Sequence, residues 1–261
     1  MDIVVCVKQV PDTAEVRIDP RTGVLIREGV PSVINPLDLY AVEEALRIRE
    51  RLGGKVTVIS MGPPQAEEVI RDGLAMGCDE GVLLTDRVFA GADTLATSYT
   101  LACGIRRKGH FDLVVCGMKS VDGDTAQVGP GLAQELGIPH IAYVCGIDEV
   151  TGEYIIVEKL LEDGVEVIRC PLPCLISVVK GINTPRLPSF KLKLAARKAE
   201  IKRWGSNDLA GDKNRYGLDG SPTRVVKIFT PDPRSQGEVI EGPPKAQAEK
   251  LYIKLRELSI V

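Results

Sequence analysis

Histidine is nearly absent from this chain, two residues among 261, and its seven cysteines form no CxxC pair. Zinc sites draw on such clusters, and Cys170-x3-Cys174 has no second ligand pair near it, so no metal is expected. Neither His110 nor His140 has a nucleophile or carboxylate partner at a telling spacing, and no Ser-His-Asp or Cys-His arrangement stands out. No catalytic side chain can be named. There is no P-loop, and no G-x-G-x-x-G follows the first apolar run, which disfavours a dinucleotide fold of the usual dehydrogenase kind. No apolar run reaches the length of a membrane span, and Met1-Asp2-Ile3-Val4-Val5-Cys6 carries no basic leader. A net charge of −3 gives no footprint for nucleic acid or a membrane surface. Aromatics make up only 4%. Several cysteines sit inside apolar runs, where a free thiol behaves as a small hydrophobe, and a reducing cytoplasm is the expected setting.

What is present is ordinary for a soluble globular protein: 44% hydrophobic and 26% charged residues, with 26 glycines. The length fits one large domain, or one domain with a substantial appendage. Short continuous apolar runs, the mark of strands covered on both faces, occur at Ile3–Val7, Val56–Ser60, Val82–Leu84, Leu113–Cys116 and Ile141–Val144. Helical spacing fills the intervals over Asp38–Leu52, Gln65–Met76, Thr94–Arg107 and Gln127–Leu136, with Gly53, Gly77, Gly109 and Gly137 at their ends. Strand and helix in alternation imply an α/β fold with a parallel sheet wrapped by helices.

The pattern changes after about residue 147. Tyr154–Leu161 and Val165–Cys170 flank Glu162-Asp163-Gly164 as a hairpin, and Cys174–Val179 reads as a further strand. Thr184–Phe190 is too proline-rich for regular helix, and a basic run follows with Lys191, Lys193, Arg197, Lys198, Lys202 and Arg203. From Gly205 the chain is polar and rich in Gly and Pro, with one strand-like island at Val225–Phe229 and a closing helix at Ala246–Leu258. Such an arm is expected to lie across a partner rather than on its own domain. The division expected is 1–204 and 205–261.

The most informative stretch runs from Gly117 to Pro130. A buried strand, a glycine-bearing polar loop and a helix N-terminus in that order make a common site for a phosphate, because the first helical amides have no partners within the helix. Backbone amides around Thr125–Val128, with the Thr125 and Gln127 side chains, are the candidate donors. Asp122 and Asp124 would repel an anion if they pointed inward, and suit turn capping or a ribose or ring contact. Other candidates lie at strand ends and helix starts: Lys8; Asn35 and Asp38 with Pro36; Gly62, which permits close backbone approach; and the cap Asp93 with Thr94 and Thr97.

These pieces, taken in order, resemble the beta (small) subunit of electron-transferring flavoproteins nearly end to end. The longest match is Val157–Ile168 continuing through Pro171–Ser177, with Val7-Lys8, Asn35-Pro36, Gly62-Pro63, Ala75-Met76-Gly77 and Asn183-Thr184-Pro185-Arg186 in matching order. The resemblance implies a Rossmann-like doubly wound sheet of the adenine-nucleotide-binding type. It also implies a heterodimer with an alpha subunit that carries its own FAD. It places a nucleotide at Cys6 and Val7, the Asn35-Pro36-Leu37-Asp38 loop, Met61 with Gly62, and the loop Ser120–Gly131. That last loop comprises Ser120, Val121, Asp122, Gly123, Asp124, Thr125, Ala126, Gln127, Val128, Gly129, Pro130 and Gly131.

Within the family, simple one-electron carriers hold AMP here, behind a run of acids followed by Cys-Asn-Gln-Thr-Gly. This chain reads Asp-Gly-Asp-Thr-Ala-Gln-Val-Gly-Pro over 122–130. That looks like the bifurcating branch, in which the site holds a second FAD, and Gly123 and Ala126 leave room for it. Asp93 and Thr94 would then lie near the flavin. The implied activity takes a hydride from NADH, sends one electron to ferredoxin or flavodoxin, and sends the other through the alpha-subunit FAD to a partner dehydrogenase. That dehydrogenase would be of the acyl-CoA or 2-hydroxyacid type. Leu187–Arg203 resembles the loop that grips such dehydrogenases, with Leu187 and Phe190 as anchors and Lys191 and Lys193 beside them.

Overall fold

A computed structural model describes residues 1–12, 17–18, 25–26, 32–224, 226 and 237–261. The chain forms two compact units, Met1–Lys227 and Ile228–Val261.

The first unit is built on a nine-stranded sheet. Its strands are β1 (Asp2–Cys6), β6 (Lys55–Met61), β7 (Glu80–Leu84), β8 (Leu113–Gly117), β9 (His140–Val150), β10 (Tyr154–Leu160), β11 (Val165–Pro171), β12 (Cys174–Val178) and β13 (Ile201–Trp204). Two small pairs lie outside it, β2 (Gln9–Pro11) with β5 (Ser32–Ile34) and β3 (Arg17–Ile18) with β4 (Leu25–Ile26). The sheet order is β11-β10-β9-β12-β8-β1-β6-β7-β13. From β9 to β13 neighbouring strands run parallel, while β10 and β11 add an antiparallel hairpin at one edge.

Helices α1 (Pro36–Leu52) and α2 (Glu67–Met76) cover one face, and α3 (Thr94–Lys108) and α4 (Val128–Leu136) the other. The apolar runs are two-sided for this reason. Ile3 and Val5 pack under α1 and α2 while Val4 between them packs under α3, and all three are fully buried. Each strand and helix expected between Ile3 and Val179 is present, some with ends shifted by a few residues. The chain lays β1, β6 and β7 side by side, then crosses back to place β8 on the other side of β1. This reversal opens a crevice at the carboxyl ends of β1 and β8, where ligands of doubly wound sheets bind.

Two elements were not legible in the basic run. Phe190–Lys198 forms a helix, α5, and Ile201–Trp204 pairs in parallel with β7 as an edge strand. Ile201 and Trp204 point to opposite faces of this strand, each half-buried against a different side of the core, while Lys202 and Arg203 between them are exposed, so the run shows no apolar alternation.

The compact unit also continues beyond residue 204, where the arm had been expected to begin. Tyr216 is buried against Phe89 and Tyr99, with ring centroids 5.2 and 5.5 Å away. The backbone N–H of Asp212 donates to the Tyr99 hydroxyl at 2.6 Å, and Arg215 pairs with Glu135 at 2.5 Å. One buried aromatic thus fastens a polar segment that composition alone reads as unattached. The island at Val225–Phe229 lies outside the described residues except Val226.

The second unit contains α6 (Pro244–Glu257), on which Leu251, Tyr252 and Ile253 are about half exposed. Among the described residues, no helix is long and apolar enough to cross a membrane.

Candidate functional site

The crevice is assembled from three chain segments that the switch in strand order brings together. Lys8 follows β1, Asn35 and Asp38 open α1, and Met118–Gln127 links β8 to α4. Asp38 is buried and stitches them together. Its Oδ2 accepts the Lys8 backbone N–H at 2.8 Å and its Oδ1 accepts from Asn35 Nδ2 at 2.8 Å. Asn35, itself fully buried, donates to the Lys119 carbonyl at 2.9 Å and accepts the Val121 N–H at 3.2 Å. The polar pair that opens α1 therefore sets the course of the loop leaving β8. Burial pushes the Asp38 carboxyl up to about 7, against the pull of the Asn35 and Lys8 hydrogen bonds.

Gly117, the last residue of β8, is required by this packing. A Cβ there would stand 2.3 Å from Asp38 Oδ1 and 2.9 Å from the Leu37 carbonyl carbon.

The loop's two acids do not face the crevice alone. Asp122 takes the Lys8 ammonium at 2.7 and 2.8 Å, and Asp124 takes Lys119 Nζ at 2.5 Å. Partial burial would raise the Asp122 pKa, but the Lys8 ammonium holds it below the ordinary carboxylate range. The expected conflict between two acids and an anion is resolved by two lysines, one just after β1 and one from the loop itself.

Asp124 and Ala126 have φ values of 52° and 55°. Left-handed backbone at a non-glycine residue is unfavourable, and such residues gather at binding sites. Among the described residues, the amides of Thr125, Ala126 and Gln127 make no hydrogen bond within the chain. Helix α4 then begins with no side-chain cap on its first turn. Unpaired amides, left-handed turns and an uncapped helix start form a set of donors suited to an anionic ligand. The open loop with these donors fits the phosphates of a nucleotide. Around Gly123 an added Cβ would meet only Ser120 Oγ, at 3.3 Å.

Helix α3 starts beside α4. Ser98 Oγ donates to Thr94 O at 2.7 Å and also lies 3.2 Å from Val128 O, and a Cβ on Gly131 would come within 2.7 Å of Ser98 Oγ. Thr94 Oγ1 donates to Gln127 Oε1 at 3.3 Å. Asp93 spends its carboxylate within the chain: Oδ1 caps α3 through Leu95 and Ala96, and Oδ2 accepts from the Thr223 N–H and hydroxyl at 3.2 and 2.9 Å. Burial would raise its pKa, yet these donors keep it low.

Of the other candidates, Cys6 stands opposite Cys116 in register and both thiols are nearly buried. The hydrogen bond with Cys6, and then burial, push the Cys116 thiol up. Val7 and Leu37 are buried, Pro36 occupies the first turn of α1, and Thr97 lies half-buried in the second turn of α3. Met61 ends β6. Gly62 follows it, donating to Leu84 O at 3.0 Å, and its missing side chain makes room for Ala66 Cβ. Gly129 and Pro130 lie in the first turn of α4, with Gly129 seated over Leu175 and Ser177. Leu187 and Phe190 are elsewhere, at the start of α5, exposed by 93% and 77%, with Lys191 and Lys193 exposed beside them. Gly117 and Lys119 lie within the Gly117–Pro130 stretch, but the sequence does not mark them as site residues. Their roles depend on Asp38 and Asp124, and lysine pairing across a loop leaves no mark in spacing.

The geometry defines an α/β fold with an anion-suited loop at a topological switch point. Comparison with known proteins makes this specific. Residues 22–209 match the electron transfer flavoprotein domain. The chain is 53% identical over 257 residues to the electron transfer flavoprotein subunit beta of Clostridium acetobutylicum, covering 98% of both chains. It is 48% identical over 263 residues to the caffeyl-CoA reductase-Etf complex subunit CarD of Acetobacterium woodii, covering 100% of both. With protein FixA of Azorhizobium caulinodans it shares 48% identity over 244 residues, 90% of this chain and 86% of that one. The chain belongs to the electron transfer flavoprotein family, as a beta subunit. Beta subunits of this family pair with an alpha subunit.

Proposed function

We propose that this chain is the small subunit of a heterodimer that takes a hydride from NADH and divides the electron pair. One electron goes to ferredoxin or flavodoxin. The other goes through the FAD of the alpha subunit to a flavin dehydrogenase of acyl-CoA or 2-hydroxyacid type, in a cytoplasmic, anaerobic metabolism. The observation that supports this reading is the loop after β8, where Gly123 carries no side chain and an added Cβ would meet only Ser120 Oγ at 3.3 Å, beside an α4 start without a side-chain cap.

A FAD bound here supplies the capacity to accept a hydride and to release electrons singly. This chain's own part is to bind and orient. The amides of Thr125–Gln127 and the start of α4 would hold phosphate oxygens, with Thr125 and Gln127 side chains as further donors. Lys8 and Lys119 bring positive charge, while Asp122 and Asp124 keep the loop near neutral and fix the lysines in place. Asn35 and Asp38 hold the loop's course, and Cys6, Met61 and Gly62 line the strand ends. The second unit, with its half-exposed apolar residues on α6, would lie on the alpha subunit.

Replacing Gly123 with Leu tests the reading. The first carbon of the new side chain would meet only Ser120 Oγ at 3.3 Å, so the fold should tolerate it while the small-subunit FAD is lost and the alpha-subunit FAD remains. An unchanged flavin count in that variant refutes the placement.

A further inference from the structure

The exposed anchor Phe190 opens α5, with Leu187 just before it, and this helix has little buried surface to hold it. Only Ala196 of the nine residues of α5 is buried. A free helix of this length is not stable in water, so its pose comes from packing against α2, where Ala196 is buried, and from contacts made at its ends.

The end contacts are made by an arginine of α2 and by an arginine of the chain just before α5. At the carboxyl end, Arg71 of α2 directs Nη1 at three carbonyls of the final turn: Ala196 at 2.6 Å, Arg197 at 3.2 Å and Ala199 at 3.4 Å. A cation there satisfies acceptors the helix leaves open and suits the helix dipole. Arg71 is in turn held by Glu67 at 2.5 Å, and Glu67 also takes Arg203 of β13, the strand that follows α5. At the amino end, Ser189 caps the helix by accepting the Leu192 N–H at 3.2 Å. Three residues earlier, Arg186 is clamped to α1. Its backbone N–H and Nε reach Glu43 Oε2 at 3.0 and 2.8 Å, and its Nη1 reaches Glu50 at 2.5 Å. The Glu43 side chain is nearly buried, so this is a fixed post rather than a loose surface pair. Asn183 adds a bond to the Tyr40 carbonyl at 2.9 Å.

We infer that Arg71 and Arg186 are positioning residues that hold α5 in one pose, so that Phe190 and Leu187 meet a partner already ordered. The inference rests on the reading of this segment as the dehydrogenase-docking surface. Order established before binding removes part of the entropy cost of association. Neither arginine needs to touch the partner.

The test uses the purified heterodimer with wild-type chain and with Arg71→Met, Arg71→Lys, Phe190→Ala and the Arg71→Met/Phe190→Ala pair. Hydrogen exchange of the amides from Leu192 to Ala199 should quicken about tenfold in Arg71→Met and less in Arg71→Lys, with flavin content unchanged. With a purified acyl-CoA dehydrogenase as acceptor, KM should rise about tenfold in Arg71→Met while kcat stays within about twofold. On the Phe190→Ala background the same substitution should change KM less than about twofold, because Arg71 acts through Phe190. If Arg71→Met does not fold, Arg71→Lys is measured the same way. Unchanged exchange in α5, or an equal KM effect on both backgrounds, overturns the inference. If Phe190→Ala raises KM and Arg71→Met does not, the positioning role alone falls. If Phe190→Ala leaves KM at the wild-type value, the docking reading falls and takes this inference with it.

Discussion

Gly117→Ala is a single methyl placed where the crevice has no space. The new Cβ would lie 2.3 Å from Asp38 Oδ1, 2.9 Å from the Leu37 carbonyl carbon and 3.0 Å from the Asp38 nitrogen. Non-bonded atoms of this kind rest near 3.5 Å, so the start of α1 must retreat by about 1 Å. Two of the three atoms are backbone, and Asp38 is held by Lys8 and Asn35. No rotamer change relieves the clash. Overpacking of this kind costs roughly 1–3 kcal/mol, and stretching a hydrogen bond to a buried carboxylate adds about 1–2. The expected loss is therefore about 2–5 kcal/mol, or roughly 5–15 °C in Tm for a unit of this size. Because Asn35 also sets the Lys119–Val121 backbone, nucleotide retention should fall together with stability. Thermal unfolding and nucleotide content of the purified heterodimer measure both. A Tm within about 1 °C of wild type, with full nucleotide content, would show that Asp38 and Gly117 do not organise the crevice.

Further outcomes follow from the same geometry. Asp38 is raised to about 7 when folded from an ordinary value of 3.8, so the folded chain takes up a proton that the unfolded chain does not between these limits. Its contribution to stability should thus grow as pH falls from 7 towards 4, by at most about 1.4 kcal/mol per pH unit, and should disappear in Asp38→Asn; parallel pH profiles of the two proteins in urea would refute this. Lys8→Met removes the partner of Asp122, so nucleotide should dissociate faster and its loss should depend less on salt; unaltered salt dependence would rule out a phosphate role for Lys8. Phe190→Ala removes a ring that is 77% exposed, so folding should be unaffected while KM for a dehydrogenase acceptor rises; an unchanged KM would show that Phe190 is not an anchor.

The α/β core was legible because its strands are covered on both faces, which leaves unbroken runs such as Ile3–Val7 and Leu113–Cys116. The loop after Cys116 was legible because a strand, a polar glycine-bearing turn and a helix start occur in sequence. Three features were hidden for physical reasons. The edge strand at Ile201–Trp204 has two exposed charged residues between its apolar ends, so it lacks a strand's alternation and resembles a basic surface segment. The segment after 204 is attached by Tyr216 and Leu209, isolated apolar residues with no periodic pattern around them. The lysines that neutralise Asp122 and Asp124 come from positions 8 and 119, and only the strand order reveals that the first is near.

The nucleotide content of the purified heterodimer tests the central claim most directly. Acid extraction followed by separation and quantification should yield two FAD for each heterodimer and no AMP, with both flavins reducible by NADH. One FAD accompanied by one AMP would contradict the account and leave a carrier whose small subunit holds only a structural nucleotide.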